Sequence, residues 1–163
     1  MENVSLILPK KLGEKLKGKA EEMGTLPEEL GIEFVRKGLN EELDPEELVE
    51  HYHVLSEKYF AEAREFLNKG DLVQTSEKLW GAASLAIKMT AAKRGLKMEK
   101  HGSLWEFVSK LSDESGDNDF IRLFYTANAL HRNFYENQMN QKALEIASKD
   151  IEQLIAKLKD ISQ

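Results

Sequence analysis

The stretch GDLVQTSEKLWGAASLAIKMTAAKRG, residues 70–95, decides the fold. Asp71 offers a carboxylate for an N-cap and Gly95 closes the segment. Between them Leu72, Leu79, Ala83, Ala86 and Met89 recur at helical spacing, and the small run Gly81-Ala82-Ala83-Ser84 lets a second helix come close. Working toward the N-terminus, Asp44-Pro45-Glu46-Glu47 reads as N-cap, proline at the first helical position and first-turn acids. Leu48, Tyr52, Leu55, Tyr59, Ala63 and Phe66 then carry a helix to Gly70, about 25 residues or ~37 Å long.

Toward the C-terminus, Ser103-Leu104-Trp105-Glu106 has the form of a capping box opening a short helix to about Ser112. Phe120, Leu123, Ala127, Leu130 and Phe134 mark a helix from about Asp119 to Asn137. Leu144, Ala147, Ile151, Leu154 and Leu158 mark the last, from about Gln141 to Ile161. Long amphipathic helices joined by short connections imply antiparallel neighbours, hence an up-and-down four-to-five-helix bundle over residues 46–163.

Composition agrees with an all-α chain and excludes several chemistries. With 41% hydrophobic residues the chain has enough apolar surface for a core, and only 3 prolines interrupt 163 residues. There is no cysteine, which removes disulfides, thiol nucleophiles and thiolate zinc sites. His51 and His53 point about 200° apart on a helix and cannot chelate one metal together, so no metal or other cofactor is expected. The net charge of −6 argues against nucleic-acid binding by bulk charge. No apolar run approaches a membrane span and no signal-peptide core is evident, so a cytoplasmic location is expected.

Residues 1–43 read differently. Val4, Leu6 and Leu8 alternate before Pro9, the pattern of one short β-strand. Leu12, Leu16, Ala20 and Met23 then form a helical stripe ended by Gly24, and Thr25-Leu26-Pro27-Glu28 has the form of a capping box for a second helix carrying Leu30, Phe34, Val35 and Leu39. A lone strand needs a partner for its donors and acceptors, and pairing with a second copy is the simplest supply. VSLILPKKL (4–12) followed by GTLPEELGIEFVRKGL (24–39) resembles the ribbon-helix-helix family of DNA-binding dimers. The resemblance implies a homodimer whose outward strand residues, Asn3, Ser5 and Ile7, face the major groove of duplex DNA. Ile7 departs from the polar readers usual there. Within the first 20 residues Lys10, Lys11, Lys15, Lys17 and Lys19 stand against only Glu2 and Glu14, a local positive excess suited to phosphates. A module that only dimerises, with solvated lysines, remains the alternative.

The segment 70–95, with HGSLWEFVSKL (101–111) and ALHRNFYEN (129–137), resembles the archaeal PaREP family within the HEPN superfamily of helical bundles. The resemblance implies a dimerising bundle. Many HEPN proteins are ribonucleases with an Arg followed after four to six residues by a His on a late helix. Here Arg132 is followed by no histidine through Asn140, and His131 follows Arg122 with eight residues between, so the general acid–base pair is missing. The expectation is a non-catalytic, dimeric DNA-binding, assembly or regulatory component.

A second possibility is binding or processing of a nucleotide or RNA. Asn128, His131 and Tyr135 share one strip beside the apolar face of the late helix, with Asn133 and Glu136 nearby in sequence. Trp80 and Lys88 on the preceding long helix would suit a base and a phosphate. A satisfied core network of the same residues is the plainer reading. Arg132 and Glu136 are spaced as a surface ion pair.

Overall fold

In the computed structural model, which describes residues 4–96, 98 and 101–161 (backbone alone at 101 and 102), the chain forms two compact units, Met1–Leu43 and Asp44–Gln163. The first holds α1 (Lys10–Met23) and α2 (Pro27–Leu39). The second holds α3 (Pro45–Lys69), α4 (Leu72–Lys93), α5 (His101–Ser115), α6 (Asp119–Glu136) and α7 (Gln141–Ile161).

This overturns the expected fold class. The described residues form seven helices and no strand, in place of a strand-led module followed by a bundle of four to five helices. Residues 4–9 are irregular, and Val4, Leu6 and Leu8, the alternating residues of the expected strand, are exposed at 87%, 68% and 38%. Period-2 alternation makes one face apolar, but a strand exists only when a second strand accepts its hydrogen bonds, and no described segment of the chain does so.

In the first unit α1 and α2 meet through Leu16, Ala20, Leu26 and Leu30. A Cβ on Gly31 would lie 3.5 Å from the Leu16 side chain, so the helices approach closely there. Gly24 takes the left-handed conformation (φ 69°) that lets the chain reverse after α1. The expected capping box at Thr25 does not form: Pro27 sits in the first turn, which makes Leu26 the N-cap, and Thr25 is one residue too early. The box expected at Ser103 fails likewise, since α5 already starts at His101. The side-chain caps at Asp44 and Asp71 do form, through the amides of Glu46 and Gln74.

The second unit is organised around α4, buried along most of its length. Four hydroxyls in α4 survive there because each donates to a carbonyl of its own chain a turn earlier: Thr75 to Asp71, Ser76 to Leu72, Ser84 to Gly81 and Thr90 to Ala86. The Tyr59 ring of α3 lies on Gly81, where a Cβ would come within 3.1 Å of it. Ser56 of α3 donates to the Ala82 carbonyl at 2.8 Å. On the far side Phe120, Phe124, Ala127 and Leu130 of α6 join Leu144, Ala147, Ile151, Leu154 and Leu158 of α7, with Leu104, Val108 and Leu111 of α5 closing one end.

Lys157 of α7 holds the α5–α6 connection through Asp117 at 2.6 Å. The hydrogen bond from Lys157 keeps the Asp117 carboxyl below its ordinary range, and the same bond raises the Lys157 ammonium. A carboxyl depressed in the folded state adds stability above its unfolded pKa and loses it as pH falls through the lowered value; the raised lysine loses its share only at strongly alkaline pH. Asp117→Asn should therefore shrink the drop in Tm between pH 6 and pH 3 and leave the slope between pH 6 and pH 9 unchanged. An acid-side drop identical to that of the parent would show that the pair contributes nothing.

Candidate functional site

The polar strip expected on α6 is assembled with α4, but only in part. The His131 ring stacks at a tilt on Trp80, with ring centroids 4.6 Å apart, and meets the Tyr135 ring edge-on at 5.8 Å. Phe134 adds a further edge contact to Tyr135 at 4.9 Å. Trp80 is 7% exposed, with His131 beside it and Phe124 at 6.2 Å. A tryptophan so covered is part of the core rather than an open platform for a base. Tyr135, at 56% exposure, is the open end of the row. Lys88 of α4 and Asn128 of α6 are half-buried.

Asn133 turns inward, away from this row. Its Nδ2 donates to Ser76 Oγ at 2.8 Å, and its Oδ1 accepts from the amides of Gln138 at 2.7 Å and Met139 at 2.9 Å. It thereby fastens the α6–α7 turn to α4, just past the left-handed residue Asn137. Glu136 is exposed and pairs with Arg132 at 3.6 Å. Trp80, His131 and Tyr135 are thus gathered together, while Asn133 and Glu136 serve other contacts. Arg132 itself is exposed on the surface beside Glu136.

The residues expected to meet DNA lie in the first unit. Ser5 and Ile7 are exposed on the irregular segment before α1, and Asn3 lies outside the described residues. Lys10 and Lys11 open α1 and are exposed, as are Lys15, Lys17 and Lys19. Lys11, Lys15 and Lys19 follow at i, i+4 and i+8 and so share one strip. Among the described residues no group of His, Asp and Glu is placed to hold a metal ion, and no helix is long and apolar enough to cross a membrane.

Sequence reasoning missed a groove of about 410 Å³ bordered by α3, α4 and α7, with His53, Glu57, Arg64, Glu152 and Lys159 about its mouth. The signal for it was present as a repeated spacing on two distant helices, which becomes visible only once they are adjacent.

The model of the archaeal PaREP1/PaREP8 family matches residues 51–155, spanning most of α3 through most of α7. The chain belongs to that family. The PaREP1/PaREP8 match covers the row on α4 and α6 and the groove apart from Ala156 and Lys159, and it leaves α1 and α2 outside. A Sulfolobus solfataricus protein known from its crystal structure is 30% identical to this PaREP1/PaREP8 chain, with a TM-score of 0.59. The similarity covers 65% of this chain and 94% of the Sulfolobus protein. No curated protein matches.

Proposed function

We propose that this PaREP1/PaREP8 protein is a non-catalytic, self-associating cytoplasmic component with a HEPN-like bundle, in which a second copy completes the α1–α2 pair and the α1 lysines rest on duplex DNA. The observation that carries the reading is how little the first unit buries. Of its described apolar side chains only Ala20, Leu26 and Leu30 are buried, while Leu12, Met23, Phe34, Val35 and Leu39 stand 46–68% exposed. Ile32, Val35 and Leu39 follow at i, i+3 and i+7 on the side of α2 turned away from Leu30. A helix apolar on both sides calls for a neighbour on both sides, and a unit of 43 residues has too small a core to leave one open. The strip of Lys11, Lys15 and Lys19 supplies charge for phosphates despite the acidic whole. The missing histidine after Arg132 supports a non-catalytic role.

Mobility of a labelled duplex, titrated with the full chain across salt concentrations, tests the DNA part. Lys11→Ala/Lys15→Ala/Lys19→Ala should weaken binding at least tenfold and flatten the log–log salt dependence by about three. A parent that leaves the duplex unretarded, or a variant with the parent's salt slope, removes DNA as the partner.

A further inference from the structure

The groove beside α4 has a symmetry that the sequence hides. Ala86 and Met89 of α4 contribute to its lining, Phe60 of α3 and Ile155 of α7 are among its walls, and two ion pairs cross it. Glu57 meets Lys159 at 3.5 Å and Arg64 meets Glu152 at 3.2 Å, so numbers rise along α3 where they fall along α7 and the helices are antiparallel. The two rims carry one pattern: EKYFAEAR at 57–64 and EQLIAKLK at 152–159, each an acid, a large apolar residue three positions on, alanine at four and a base at seven. Opposed head to tail, these segments place acids at one pair of diagonal corners and bases at the other. Ala61 and Ala156 sit exposed between them.

We propose that this α3–α7 face binds a second copy of the chain. Turning one copy over an axis parallel to the helices lays α3 of each on α7 of the other, and every corner then meets its opposite: Glu57 of each faces Lys159 of the other at one end, and Arg64 of each faces Glu152 of the other at the opposite end. Such a four-cornered pattern is neutral as a whole yet complementary to itself, which selects a copy over a partner of either single sign. The pairs within one copy join side chains 42–60% exposed, so they hold little on their own and are free to exchange for pairs between copies. The alanines at the lip allow close approach, and Phe60 and Ile155 beside them gain cover. Two adjacent helices about 10 Å wide and about 30 Å long present on the order of 600 Å² per copy, enough for the lower range of specific interfaces. The face lies in the second unit and the open side of α2 in the first, so the two contacts use different residues.

Two variants of the full chain test this. Glu57→Lys/Glu152→Lys makes all four corners positive and Arg64→Glu/Lys159→Glu makes all four negative. At equal concentration, with helix content checked by circular dichroism, light scattering should give each variant half the mass of the parent, and an equimolar mixture should recover the parent's mass. A variant as heavy as the parent, a monomeric parent, or a mixture that stays at the lower mass would overturn the proposal.

Discussion

Phe124→Ala should destabilise the second unit by about 3–5 kcal/mol, the largest effect expected of any single truncation here. Its side chain is fully buried, meets Trp105 edge-on with centroids 4.5 Å apart and lies 6.2 Å from Trp80. One ring therefore joins α6 to both α5 and α4. Deleting it removes the transfer energy of the ring and leaves a cavity between three helices that are held apart by their own side chains. Thermal unfolding followed by far-ultraviolet circular dichroism should show Tm falling by about 10 °C or more. A fall of only about 2 °C would mean that the helices close over the space and that the ring is not what spaces them.

Asn133→Leu should cost about 2–4 kcal/mol, although leucine is the better helix former and is close in size. The substitution leaves the amides of Gln138 and Met139 without the oxygen they share, in a turn whose entry depends on Asn137 holding φ at 48°. Ser76 keeps its bond to the Leu72 carbonyl, so the loss concentrates in the turn. Amide exchange at residues 138 and 139 should accelerate more than exchange in the middle of α4. Asn133→Asp should restore part of the stability, because a carboxylate accepts both amides. Unchanged stability in Asn133→Leu would return this residue to the candidate binding row from which the geometry separates it.

The consequence for function is a division of the α4–α6 region. His131, Trp80 and Tyr135 form an aromatic row with one exposed end, and Asn133 is a fastener that happens to share their helix. Spacing alone put Asn128, His131 and Tyr135 on one strip and set Asn133 beside them; spacing cannot tell a side chain that lines a surface from one that turns under the next loop. The decisive partner, the α6–α7 turn, is five and six residues away and becomes a partner only by folding back.

Most helices of this PaREP1/PaREP8 chain were legible without coordinates, because 3.6-residue periodicity is a local property and the caps that bound it are short-range hydrogen bonds. Asp44 and Asp71 cap as their positions dictate, Gly24 and Gly70 turn left-handed where a Cβ would be strained, and the apolar residues of α7 named from periodicity are all buried. The strand was the failure. Alternation at Val4, Leu6 and Leu8 is equally local, but strand formation is not, since its hydrogen bonds lie between segments. What only the tertiary structure decided is adjacency: that the Tyr59 ring rests on Gly81, that Asn133 serves a turn, and that segments 57–64 and 152–159 stand side by side. Their shared pattern means nothing along the chain, where 88 residues separate Arg64 from Glu152. Packed antiparallel beside α4 it becomes a surface with its own symmetry, because charge complementarity depends on distance in space and not on order in sequence.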